Sequence, residues 1–373
     1  MEYIALKNIC KINMGQSPDS SSYNDNKDGI PFFQGNADFG EKYPVTRVWC
    51  NAPIKVAQPN DILISVRAPI GALNFAKEEC CIGRGLAALT PDRSKVSLEF
   101  IYWVLKWKKA ELNSKGTGST FKAISRKVLE ETLVPAIDFE KQYEYVEILG
   151  KTYSVIKKYK KELNCLDGLI KARFVEMFGD PVSNSYGFPE ATLPELGELG
   201  RGVSKHRPRN DSKLLGGDYP LIQTGDVANA GLYITSYGGT YSELGLKQSK
   251  MWNKGTLCIT IAANIAKTAI LEFDACFPDS VVGFIANEKT NNIFIHYWFS
   301  FFQAILESQA PESAQKNINL KILSELKVIV PKKEKQDEFV EFIEQVYKSK
   351  VAVQKALDET QMLFDSLMQE YFN

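Results

Sequence analysis

The sequence predicts an α+β (mixed α/β) chain: two similar globular domains separated by two long helices packed as an antiparallel coiled coil. Three observations carry this reading. One stretch keeps a heptad pattern for far longer than an ordinary helix, the pattern returns at the C-terminus, and the globular segments repeat at a constant offset. Together they define an internal pseudo-two-fold repeat.

The first heptad stretch contains EKQYEYVEILGKTYSVIKKYKKELNCLDGLIKARFVEMFGDP. In alternating steps of three and four it reads Val146, Leu149, Tyr153, Ile156, Lys160, Leu163, Asp167, Ile170, Phe174 and Met177. This is a coiled-coil seam with two polar breaks. A helix of this length is roughly 55 Å long and needs a partner along all of it. The C-terminal segment supplies one, with Val340, Ile343, Tyr347, Lys350, Gln354, Leu357, Gln361, Phe364, Met368 and Tyr371 in the same steps. The breaks at Lys160 and Asp167 recur as Gln354 and Gln361, 194 residues later. Gly179 and Pro181 stop the first helix. Antiparallel pairing with Val146 opposite Tyr371 sets Asp167 beside Lys350, a partly buried ion pair that would mark the register. Tyr153, Tyr347, Phe174 and Phe364 are read as core.

The first globule opens with a short strand, a Gly-Ser-Pro-Asp loop, and a strand around Ile30 to Gln34. The run from Pro59 to Pro91 reads as consecutive strands. FIYWVLKWKKAEL reads as a helix, NSKGTGSTFKAI as a polar loop, and VLEETLVPAI as a closing strand. The second globule repeats the order. YPLIQTGDVANAG answers IPFFQGNADFG, Cys276 follows Cys81 by 195 residues, and Tyr297-Trp298 answers Tyr102-Trp103. Both copies pass through Glu-Lys-Gln, at 140–142 and 334–336, into their long helix. The expected division is 1–135, 136–180, 181–331 and 332–373. Antiparallel helices would place the two globules at opposite ends of a stiff spacer.

Lysine plus arginine, 45, equals aspartate plus glutamate, 45, so any basic surface must be local. The seven cysteines form no disulfide framework and fit reduced, buried thiols. MEYIALKNICKI is not a signal peptide and no run reaches the ~20 apolar residues of a membrane span, so a soluble, cytoplasmic protein is expected.

No catalytic site is legible. His206 and His296 are too few and too isolated for a metal site or a serine triad. Gly116 to Thr120 lacks the Gly-Lys-Ser/Thr ending of a phosphate loop, no Gly-x-Gly-x-x-Gly opens a strand–helix turn, and no Asp/Asn-Pro-Pro-aromatic run is present. No catalytic residue, metal or cofactor is therefore expected.

What the loops display instead is polar chemistry of the kind that reads nucleic acid. Copy one offers Gln34, Asn36, Asp38, Arg67, Arg84, Ser119, Thr120 and Lys122. Copy two offers Lys205, His206, Arg207, Arg209, Gln223, Thr224, Asp226, Asn264, Lys267, Gln315, Lys316 and Asn317. Arginine and lysine suit guanine, asparagine and glutamine suit adenine, and serine, threonine and lysine suit the backbone. For any one of these residues a solvated turn is the competing reading. The run KHRPRN, Lys205 to Asn210, is the sharpest basic cluster.

LVPAIDFEKQYEYVEIL and VIVPKKEKQDEFVEFI resemble the Pro-x-x-x-x-Glu-Gln opening of the conserved helices in specificity subunits of type I restriction–modification systems. MFGDPVSNSYGFPEATLPELGEL resembles that family's Phe-Gly-Asp-Pro junction into a second recognition domain. The resemblance covers essentially the whole chain. It departs in copy one, where Pro135 to Gln142 reads Glu-Lys-Gln with stretched spacing. The resemblance implies two target-recognition domains, each reading half of a bipartite site in double-stranded DNA. It also implies helices that dock two methyltransferase subunits, with a restriction and translocase subunit joining the complex. It carries over no catalytic residue and no base-reading position. Two alternatives stay open: a coiled-coil adaptor that reads no DNA, and an unrecognised DNA-modifying enzyme.

Overall fold

The structure, a computed structural model, describes residues 2–118, 122–262, 264–309 and 318–373. The chain divides into two compact units, residues 1–160 with 355–373, and residues 161–354. Four helices organise them: α1 (Leu98–Trp107), α2 (Phe139–Phe178), α3 (Asn292–Gln309) and α4 (Lys333–Phe372). The division falls in the middle of α2 and α4, so each unit holds one globule and half of each long helix.

In the first unit the globule is closed by its own ends. Strand Tyr3–Ala5 pairs antiparallel with Leu133–Pro135, the last strand before α2. A four-stranded antiparallel sheet runs Cys10–Met14, Leu86–Pro91, Ile62–Ser65, Leu73–Phe75. In a five-stranded sheet beside it, Ile30–Phe33 lies parallel to Cys80–Ile82. The β-branched and apolar runs thus form the strands that their composition favours. The closing segment differs from the expected strand. Residues Arg126–Glu130 form a helical turn that buries Leu129, and only Leu133–Pro135 is extended. The partner strand offers three residues of ladder, so the preceding residues satisfy their backbone locally instead.

The second unit repeats these devices. Glu190–Thr192 pairs with Lys327–Ile329 before α4, with the helical turn Leu320–Glu325 ahead of it. Leu221 pairs in parallel with Cys276, as Phe32 does with Cys81. The cysteines 195 residues apart therefore hold the same buried strand position. Six of the seven cysteines are buried, and Cys165 on α2 is exposed. Burial pushes the Cys10 and Cys80 thiols up to about 12.

Within the first unit α2 and α4 run antiparallel. Tyr145 stacks on Tyr371 with ring centres 3.8 Å apart, and Tyr153 meets Phe364 at 5.7 Å. Leu149, Ile156, Leu357, Phe364, Met368 and Tyr371 are buried, and Val146 is half-buried. Trp103 of α1 packs edge-on against both Tyr153 and Phe364.

The second unit shows the same polarity. Arg173 donates to Glu338 at 2.8 Å, and Lys350 bonds Asp167. Asp167 is half-exposed and Lys350 more covered, so the pair lies at the rim of the seam. Ile170, Phe174, Met177 and Ile343 are buried, whereas Leu163, Val340 and Tyr347 are half-buried. Phe339 and Val346 are buried although they lie off the heptad steps. They face the globule, where Phe339 meets Phe174, Phe178 and Tyr297.

Each long helix is fastened by a buried glutamine, the last residue of Glu-Lys-Gln. Gln142 accepts the Ser97 N–H at 2.8 Å and donates to the Ile137 carbonyl at 2.9 Å. Ser97 is itself the N-cap of α1, accepting the Phe100 N–H. Gln336, fully buried, accepts the Thr290 hydroxyl at 2.8 Å. It donates to the carbonyls of Lys289 and Pro331 at 3.0 and 2.9 Å. An amide carries both a donor and an acceptor end, and this site uses both.

Two outcomes follow from these contacts. Gln336→Glu cannot donate to two carbonyls and buries a charge, so it should destabilise the chain by more than Gln336→Leu. The leucine variant should lose about 1–3 kcal/mol for each group left unpaired, measured by denaturant unfolding. For Asp167 and Lys350, a double-mutant cycle to leucine should give a coupling of about 0.2–1 kcal/mol, as expected of an ion pair open to solvent.

Candidate nucleic-acid interface

In the first unit five of the sequence candidates line one cleft of about 340 Å³: Gln34, Asn36, Asp38, Arg67 and Arg84. Three chain segments build it. Strand Ile30–Phe33 delivers Gln34, followed by a tight turn at Asn36–Asp38. The Asp38 carboxylate accepts the Gln34 N–H at 2.8 Å and the Gly35 N–H at 3.4 Å, which holds the turn closed. Asp38 is therefore turned onto its own loop.

Arg84 sits between Gly83 and Gly85, where the chain crosses the Gln34 segment. The Gly85 N–H donates to the Gln34 carbonyl at 3.2 Å. A Cβ at Gly85 would lie 2.4 Å from that carbonyl oxygen, so only glycine allows the approach. Arg67 follows strand Ile62–Ser65 and faces Ala123 across a single bridge. Both arginines are exposed, and among the described residues neither forms an ion pair. Lys122 is exposed next to them, its carbonyl accepting the Ala68 N–H at 3.0 Å. Ser119 and Thr120 lie outside the described residues.

The second unit keeps the frame and changes the chemistry. Asp226 accepts the Gln223 N–H at 2.7 Å, the same device as Asp38 with Gln34. Thr224 opens the short helix Thr224–Asn229. Position 279, which is 195 residues after Arg84, is an aspartate. Asp279 bonds Arg209 and lies 3.5 Å from Arg207, and its backbone carbonyl accepts from Arg201. Arg207 also donates to the carbonyls of Ser204 and His206 at 2.6 and 2.9 Å. Gln248 accepts the N–H groups of Lys205 and His206, and His206 pairs with Asp211. The basic run is thus a wired loop held by two carboxylates, Asp279 and Asp211, and the Lys205 side chain is exposed.

The remaining candidates of copy two lie apart from that loop. Asn264 is exposed in the turn after strand Leu257–Thr260. Lys267 lines a cavity of about 390 Å³ with Asp167, His296, Tyr297, Tyr347 and Lys350. There His296 Nδ1 is 2.9 Å from the Thr268 hydroxyl. Burial, then the Lys350 charge, pushes its imidazole down to about 4, so it is neutral near pH 7. Gln315, Lys316 and Asn317 lie outside the described residues. Sequence reasoning missed Asp279 and Gln248. The repeat offset from Arg84 was the available signal for the first, and Gln248 had none.

A family model described as the type I restriction modification DNA specificity domain matches residues 1–165 and 190–360. The chain belongs to this family. One relative, a putative type I restriction enzyme MjaX specificity subunit from Methanocaldococcus jannaschii, is 42% identical over 163 residues. That match covers 41% of this chain and spans 38% of the relative. The type I restriction enzyme EcoBI specificity subunit from Escherichia coli is 21% identical, over 98% of this chain and 83% of its own length. The fold resembles the S subunit of the type I system of M. genitalium, with a TM-score of 0.62 at 15% identity. That likeness covers 100% of this chain and 96% of the other. A chain from a solved structure of the type I R-M system gives a TM-score of 0.52 at 15% identity, covering 99% and 97%. The relatives are named as specificity subunits, and the mixed helix-and-sheet architecture is the family's own.

The close crossing at Gly85 can be tested against a glycine with open space. Gly85→Ala should destabilise the first unit by about 1–3 kcal/mol, the usual penalty for forcing atoms into packed structure. Gly150→Ala, in α2 with nothing within 4 Å of the added carbon, should instead stabilise by about 0.5–1 kcal/mol. Thermal unfolding of the two variants checks the contrast.

Proposed function

We propose that this chain reads a bipartite sequence in double-stranded DNA, one half through each globule, and scaffolds the catalytic subunits of a type I restriction–modification complex. The observation that carries the reading is the first unit's cleft. Two arginines with no carboxylate partner among the described residues stand there beside a glutamine and an asparagine. Guanidinium groups match the O6 and N7 acceptors of guanine, and carboxamides match the donor and acceptor of adenine. The second globule presents a different arrangement on the same frame, with Asp279 where copy one has Arg84. Two unlike surfaces on one scaffold suit two unlike half-sites.

The reading assigns residues 1–135 and 181–331 to recognition, and 136–180 and 332–373 to the helical spacer. Two methyltransferase subunits would dock on the helices, with a restriction and translocase subunit joining them, in the cytoplasm. Exposed apolar side chains support that role: Tyr143, Val155, Met362 and Leu363 in the first unit, and Leu169, Val175 and Val351 in the second. Solvent-facing apolar groups on long helices suit protein partners. The chain itself would neither methylate nor cleave.

Exchanging residues 182–330 for the matching domain of a relative, in cells that also carry the partner subunits, should change one half of the methylated sequence and leave the other. Methylation mapping reads both halves together. If both halves change, the globules do not read independently.

A further inference from the structure

We propose that a track of lysines in the first unit, Lys122, Lys109, Lys106, Lys157 and Lys160, holds the phosphate backbone of DNA that runs on from the recognition cleft. This rests on the DNA-reading function above and adds a surface to it.

The track is continuous with the cleft. Lys122 is bonded to Ala68 through its carbonyl, beside Arg67. The loop from Arg67 ends at Gly71, where an added Cβ would meet the Lys109 side chain at 3.0 Å. Lys106 lies one turn before Lys109, at the end of α1. Its ammonium sits 3.3 Å from the centre of the Tyr153 ring on α2 and 5.0 Å from that of Trp103. Lys157, one turn further along α2, lies 5.3 Å from the same tyrosine ring, and Lys160 follows. The aromatic faces hold Lys106 in place, which an isolated surface lysine lacks.

The track is also short of anions. Of the five lysines only Lys157 has a carboxylate partner among the described residues, Glu41 at 3.0 Å. Burial, then the charges of Lys157, Lys160 and Lys109, brings the Lys106 ammonium down to about 7. A polyanion would relieve that repulsion. B-DNA offers one negative charge per ~1.7 Å of its axis, so a line of cations is matched along its length.

The second copy lacks the feature. At the repeat offsets Lys106 and Lys109 become Phe301 and Ala304, while Lys157 and Lys160 become Val351 and Gln354. In the second unit Tyr297, Tyr347, Val351 and Gln354 border the 390 Å³ cavity instead. The basic track therefore belongs to copy one and is not a requirement of the shared scaffold.

The test is binding of the full chain to a mixed-sequence DNA duplex between about 50 and 200 mM salt. Lys109→Gln with Lys160→Gln changes two exposed side chains and leaves the Lys106–Tyr153 contact intact. It should flatten the slope of log affinity against log salt by about 1.8, or ~0.9 per lost phosphate contact. Lys106→Gln should remove a further ~0.9, and Lys106→Arg should retain it. Lys7→Gln with Lys127→Gln, exposed elsewhere in the unit, should leave the slope unchanged. The proposal fails if the Lys109/Lys160 variant keeps the wild-type slope, or if the Lys7/Lys127 variant loses as much. In either case salt-dependent binding by the wild type would leave the DNA-reading function standing. No salt-dependent binding by the wild type would sink both.

Discussion

Everything in each unit depends on how the long helix leaves its globule. A helix of 40 residues has no tertiary reason to start at one place rather than another unless something anchors its first turn. Here the anchor is a buried carboxamide, Gln142 or Gln336, bonded back to the residue five before it and across to the globule ahead of α1 or α3. The closing strand immediately before the helix pairs with the first strand of the same globule. Between them, the amide and the strand pair fix both position and rotation of the helix. The apolar stripe then faces the partner helix and the globule together.

That double demand explains which side chains are buried. A stripe that served only a partner helix would be confined to the heptad steps. In the second unit Phe339 and Val346 widen it, because this half of α4 also closes the globule's aromatic cluster around Phe174, Phe178 and Phe294. At Asp167 and Lys350 the seam is open enough for a charged pair to reach solvent, so the pair marks register at little desolvation cost.

The duplicated scaffold carries opposite chemistry at Arg84 and Asp279 because both lie in loops after a strand pair that the two copies share. Arg84 and Asp279 follow strands that pair in the same parallel manner, at Cys81 and at Cys276. One projects a cation into a cleft, and the other draws two arginines onto itself. Lys106 and Phe301 make the same contrast on helices of equivalent placement. The first lies against an aromatic ring near other cations, and the second packs 5.0 Å from Phe174. Strand pairing depends on backbone bonds and buried faces, so the exchange of Arg84 for Asp279 leaves the sheets intact.

The sequence by itself determined the architecture: the repeat offset, the two long helices and their antiparallel polarity. Even the contact of Asp167 with Lys350 was legible, because a heptad seam specifies which side chains face the partner helix. It also marked Gln34, Arg67 and Arg84, since exposed polar types in turns stand out against an apolar frame. Their meeting in one cleft was settled only by tertiary structure, because the residues lie on three segments whose approach depends on Gly85 beside Gln34. The anchoring glutamines were visible as a motif, yet their burial was not, since nothing local distinguishes a buried amide from a surface one. The Asp279 bonds and the Lys106 contact with Tyr153 are likewise long-range. Periodicity fixes what neighbours in the chain do, and only packing brings distant charges together.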